Sequence, residues 1–139
     1  MLDFIWSNGI RPLAKEDQPM EQYKLGEMEQ KFADLIWLHA PIPSGELVKL
    51  CAKELSWKKS TTYTMLKRLC DRGIFENYKG RVTALMSRED FTAAQGEQFL
   101  SETFGGSLPR FFAAFTRRNK LSAKEINELQ QLIDQHKEE

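Results

Sequence analysis

The sequence predicts a mainly α-helical protein with one small β-hairpin: three helices, the hairpin, then three more helices. Three observations point there. Apolar residues recur at three- and four-residue steps in several segments, the period of an amphipathic helix. Around Lys79-Gly80-Arg81 the period shortens toward two, as in strands flanking a tight turn. Pro41, Pro43, Gly73, Gly105 and Gly106 fall between the periodic segments and punctuate them.

Residues 1–20 show no clear period, and residues 1–23 read as an irregular extension. Met20 is a possible internal start, and Phe4, Ile5 and Trp6 are candidates to dock on the body. The first helical stripe is Leu25, Met28, Phe32, Leu35, Ile36 and Leu38. Ala40-Pro41-Ile42-Pro43 breaks it, because proline cannot continue the hydrogen-bond ladder. Ser44 is the expected N-cap of a second helix, with the stripe Leu47, Val48, Cys51 (or Leu50) and Leu55. Ser56-Trp57 links it to a third, whose narrow apolar face is Thr62, Met65, Leu66 and Leu69. Gly73 is placed to end that helix in a left-handed turn. Residues 74–78 and 82–86 are the hairpin strands. Ser87-Arg88-Glu89-Asp90 opens a fourth helix reaching about Phe104, Ser107-Leu108-Pro109 a fifth, and the capping box Ser122-Ala123-Lys124-Glu125 a sixth.

The chain has 139 residues, 41% hydrophobic and 29% charged, which suits one domain plus an oligomerisation arm. No apolar run approaches the roughly 20 residues a bilayer crossing needs, so no membrane insertion is expected. The opening MLDFIWSNGIRPL lacks a basic front end and a sustained apolar core, and does not read as a signal peptide. Two cysteines are too few for a disulfide framework, and a cytoplasmic location is the default. The formal net charge is zero, but it is unevenly spread. Between residues 58 and 81 seven cations face two anions; between 121 and 139 five anions face two cations. A basic patch beside an acidic tail suits nucleic-acid binding.

Three short helices followed by a hairpin describe a winged helix-turn-helix domain over residues 24–87. Its third helix would enter the major groove of double-stranded DNA. The face opposite the apolar stripe carries Ser60, Thr61, Tyr63, Thr64, Lys67 and Arg68, with Lys58 and Lys59 at its start. Hydroxyls there reach bases or phosphates, and lysine and arginine neutralise phosphates. Lys79 and Arg81 sit on the wing tip. The alternatives are a solvated helix face, or a winged-helix module that binds protein without DNA.

Residues 88–139 read as a helical dimerisation region. Phe104, Leu108, Phe111, Phe112 and Phe115 form a dense apolar run, joined by Phe99 and Leu100 before it and Ile126, Leu129 and Ile133 after it. Two or three short helices make a poor core alone, so burial against a second copy is favoured over an intramolecular one. A two-fold dimer would present two recognition helices about one DNA turn apart.

"LGEMEQKFADLIWLHAP" and "SWKKSTTYTMLKRLCDRGIFENYKGRV" resemble the penicillinase-repressor (BlaI/MecI/CopY) family. Trp57, Thr61, Thr64, Arg68, Leu69 and Gly73 occupy matching places, and Gly80-Arg81-Val82 matches the wing. "FLSETFGGSLPRFFAAF" and "LSAKEINELQQLI" resemble the family's dimerisation half. The resemblance implies a homodimeric repressor on an inverted-repeat operator. In the antibiotic branch it also implies a regulatory protease that cuts the dimerisation half, near where Thr103-Phe104-Gly105-Gly106 lies here. Lys58-Lys59-Ser60 departs from the family's usual Ser-Pro-Lys, which shifts the expected helix start toward Ser60. No cysteine follows Cys70, so copper sensing through paired cysteines is unsupported.

No catalytic residue, cofactor or metal ligand is assigned. Cys51 lies in an apolar stripe and reads as structural rather than redox-active. Cys70 sits beside Asp71, which disfavours the thiolate. His39 and His136 fall in different halves with no ligand spacing.

Overall fold

A computed structural model describes residues 23–139. Apart from Tyr23, the expected N-terminal extension lies outside the described residues, as do Phe4, Ile5, Trp6 and Met20. The elements run α1 (Glu27–His39), β1 (Ile42–Pro43), α2 (Ser44–Leu55), α3 (Lys59–Asp71), β2 (Phe75–Tyr78), β3 (Arg81–Ala84), α4 (Arg88–Phe104), α5 (Leu108–Arg118) and α6 (Ala123–Lys137). The expected order of three helices, hairpin and three helices is what the protein adopts. The chain divides into two units, one reaching Gln98 and the other spanning Phe99–Glu139.

The first unit closes around one core. Phe32, Ala33 and Ile36 of α1, Leu47 and Cys51 of α2, and Leu66 and Leu69 of α3 are buried with Ile74, Phe75, Val82 and Phe91. The aromatic rings interlock: Phe32 meets Trp57 at 5.1 Å between centroids, and Trp37 meets both Phe75 (5.2 Å) and Phe91 (5.3 Å). The Trp37 indole N–H donates to the Met86 carbonyl at 3.0 Å, which satisfies its polar end. Phe91 thus brings the start of α4 into this core.

Two expectations change on α1. Leu38 is 76% exposed and Met28 is also exposed, whereas Ala33 is buried and Trp37 packs on the core. Leu38 follows Ile36 by two residues, about 200° around a helix, so the two cannot share a face.

The hairpin is joined by a third strand. Segment 41–43 ends α1 and also forms the short edge strand β1, with Ile42 opposite Val82 and Pro43 opposite Arg81. The sheet order is β1-β3-β2, all antiparallel. A proline at an edge is tolerated because it need not donate to a neighbour. At the wing tip, between Tyr78 and its partner Arg81, Lys79 and Gly80 both take positive φ (50° and 80°). That is the backbone of a two-residue hairpin turn whose twist matches the strands.

In the second unit the caps fall where the sequence places them. Ser107 Oγ accepts from the Arg110 N–H at 3.1 Å with proline in the first turn, and Ser122 and Glu125 form a complete capping box. Phe99, Phe104 and Phe111 meet pairwise at 5.4–5.9 Å, and Phe111 also meets Phe115. Even so, no residue of α5 or α6 is buried.

Candidate nucleic-acid interface

The apolar side of α3 fixes what its other side presents. Thr62, Leu66 and Leu69 are buried at helical spacing, and Met65 is half-buried against the core. Thr62 Oγ1 donates to the Lys58 carbonyl at 3.2 Å, so its buried hydroxyl is satisfied within the helix. With that side committed, Lys59, Ser60, Thr64, Lys67 and Arg68 are exposed, Lys58 is exposed at the N-cap, and Thr61 is half-buried. The helix begins at Lys59, one residue before Ser60. Its first turn holds no acidic residue, and Lys58 makes no side-chain cap. Lysines at the positive end of a helix dipole are unfavourable there, and an external anion offsets that cost.

Ser44 joins α2, α3 and the wing. It was expected as the N-cap of α2, but Pro43 holds that position and Ser44 is the buried first helical residue. Its N–H donates to the Gly80 carbonyl at 2.7 Å, and its Oγ lies 2.9 Å from the Tyr63 hydroxyl. The wing tip is therefore held near the middle of α3. A Cβ on Gly80 would sit 3.8 Å from Ser44 Oγ, an ordinary contact, so positive φ rather than space favours glycine there. Lys79 lies over the Tyr78 ring at 5.3 Å, and Arg81 is exposed. Tyr63 itself is half-buried, with its hydroxyl engaged by Ser44.

The cations differ in their surroundings. Lys67 pairs with Asp71 at 3.2 Å, one turn along α3. Arg68 and Arg72 both reach Glu29 of α1, at 3.6 and 3.9 Å, and Arg72 also donates to the Lys24 carbonyl at 2.7 Å. Lys58, Lys59, Lys79 and Arg81 have no ion pair among the described residues. Sequence reasoning missed both Glu29 and the Ser44 joint. Each depends on long-range packing and has no signature in local spacing.

Neither cysteine is poised for chemistry. Burial pushes both thiols above their usual range, and Asp71 pushes Cys70 further. At neutral pH both are protonated, the unreactive form. Among the described residues no group of three His, Cys, Asp or Glu side chains is placed to hold a metal ion. No helix among them is long and apolar enough to cross a membrane.

The family described as penicillinase repressor matches residues 25–135. A penicillinase repressor of Bacillus licheniformis is 31% identical over 118 residues, 82% of this chain and 92% of that protein. A penicillinase repressor of Staphylococcus aureus is 22% identical over the same share of this chain and 94% of its own length. The methicillin resistance regulatory protein MecI of Mammaliicoccus sciuri is 19% identical over 116 residues, 81% of this chain and 94% of that protein. With most of its length matched and its winged helix in place, the chain belongs to the penicillinase repressor family and is a transcriptional repressor, not an enzyme.

Proposed function

We propose that the protein is a cytoplasmic homodimer that represses transcription by covering an inverted-repeat operator with two α3 helices and two wings. The observation that carries this is the outward face of α3, rich in hydroxyls and cations, with the wing tip tied beside it through Ser44. Lys58, Lys59, Lys67, Lys79 and Arg81 neutralise phosphates, while Ser60, Thr61, Thr64 and Arg68 face the groove. Tyr63 packs at the rim of the contact. The Lys67 pair is exposed, and such pairs are worth only about 0–1 kcal/mol, so phosphate can replace Asp71 as its partner.

The second unit supports dimerisation. Phe99, Leu108, Phe112, Phe115, Ile126, Leu129 and Ile133 all keep more than a third of their surface exposed. Leu100, Phe104 and Phe111, half-buried, back that surface. A second copy would cover it. One half-site binds weakly, so an inducing signal acts by weakening the dimer, with proteolysis in the dimerisation region as the proposed route.

The test is binding of promoter-region duplex across a salt series. Log affinity should fall against log salt with a slope of about −0.9 for each phosphate neutralised. Arg68→Ala and Thr64→Ala should each weaken specific binding with the fold intact. Wild-type affinity that does not respond to salt, or both variants binding as well as wild type, would refute the assignment and favour a module that binds protein alone.

A further inference from the structure

We infer that Glu29, on α1 and outside the DNA-facing surface, restrains the recognition helix by acting as an internal rival to phosphate for Arg68. This rests on the reading of α3 as the DNA-contacting helix. The side chain of Glu29 is only 15% exposed. Its Oε1 accepts from the Gly26 N–H at 2.8 Å and so caps α1, which fixes the carboxylate in place. Its Oε2 faces two arginines, Arg68 of α3 and Arg72 at its C-cap, that differ in how they are held. Arg72 is mostly covered and is anchored a second time by the Lys24 carbonyl. Arg68 is half-exposed and meets Glu29 through one contact of 3.6 Å. Arg72 therefore fastens α3 to α1, while Arg68 is free to exchange partners. Any phosphate drawing Arg68 outward competes with a carboxylate held in place by the Gly26 N–H and by Arg72.

The consequence falls on non-specific binding, which is almost wholly phosphate neutralisation. A groove contact that grips guanine with two hydrogen bonds outweighs the Glu29 pair, whereas a single phosphate on random sequence barely does. Glu29 is thus a specificity-determining residue acting through Arg68.

Glu29→Gln tests this, since its amide oxygen still caps Gly26 and Arg72 keeps its bond to Lys24. Binding of wild type and variant to a random-sequence duplex is measured by fluorescence anisotropy over a salt series, with thermal melts to confirm folding. One additional phosphate at a slope of about 0.9 corresponds to roughly eightfold tighter binding near 0.1 M salt, together with a steeper salt dependence. The gain should vanish when Arg68→Ala is added to Glu29→Gln. Glu29→Asp, which withdraws the carboxylate by one methylene, should shift affinity the same way by less, and it serves should Glu29→Gln melt early. With a wild type that binds in a salt-dependent way, unchanged or weaker random-sequence binding by the folded Glu29→Gln variant, or a gain that persists without Arg68, overturns the inference alone. A wild type with no salt-dependent DNA binding overturns the underlying reading as well.

Discussion

Phe112→Ala isolates the proposed dimer surface. Phe112 is 45% exposed, and it makes no ring contact among the described residues, unlike Phe99, Phe104, Phe111 and Phe115. Its truncation therefore leaves the aromatic cluster of the second unit in place. A phenylalanine presents about 200 Å², so the exposed share is roughly 90 Å². At about 25 cal/mol per Å², covering it contributes on the order of 2 kcal/mol. A two-fold interface buries the residue twice, for about 4 kcal/mol per dimer. With about 1.4 kcal/mol per decade, the dissociation constant should rise by two to three orders of magnitude. Sedimentation velocity over a concentration series reads this directly, and the melting of the first unit should not move. A change below about threefold in a folded variant, or a wild type that stays monomeric at high micromolar concentration, would refute the assignment of this surface.

Lys79→Ala and Arg81→Ala should each weaken binding to all duplexes alike and lower the salt slope by about 0.9, read by the same anisotropy series. Leu66→Ala removes a side chain that is 1% exposed at the centre of the first core, and should cost about 2–5 kcal/mol in urea denaturation. The thiols of Cys51 and Cys70 should react slowly with a chromogenic disulfide at pH 7 and rapidly only after denaturation, because burial raises both pKa values. The folded state holds these protons more tightly than the unfolded chain. Their contribution to stability is thus complete below the usual thiol pKa of about 8.5 and is lost as pH rises beyond it, so melts should drop on the alkaline side.

Much of the fold was legible because the first core is built from periodic stripes. Thr62, Met65, Leu66 and Leu69 showed the inward side of α3, and hence its outward side, without any knowledge of what they pack against. Ser107, Ser122 and Glu125 marked their helix starts through capping chemistry that is local by nature. What failed to show was non-local. Pro41-Ile42-Pro43 announces a break, but only the presence of Val82 across the gap makes Ile42 a strand residue. Ser44 is good cap chemistry by type, and its hydroxyl went to Tyr63, 19 residues on, because the start of α2 is buried against α3. Glu29 has no local signature, because its two oxygens serve different elements, a cap on α1 and the pair Arg68 and Arg72 at the end of α3.

The uneven charge along the chain also finds a physical reading around α3 and the wing. The cations of the proposed interface fall into two sets. Lys67 and Arg68 in the second half of α3 have carboxylates within the fold, while Lys58 and Lys59 at its start and Lys79 and Arg81 on the wing have none among the described residues. Lys58 and Lys59 add to the positive pole of the helix dipole, which falls off within the first turn. Attraction for a polyanion is therefore strongest at the beginning of α3 and at the wing. At the other end of α3 it is moderated, where unrestrained charge would hold any duplex regardless of sequence. A repressor must find one site among a vast excess of competing DNA, so the ratio of specific to non-specific binding matters more than affinity alone. On the reading proposed above, Glu29 at that end of the helix raises the ratio through Arg68 and leaves the outward hydroxyls of α3 to read bases.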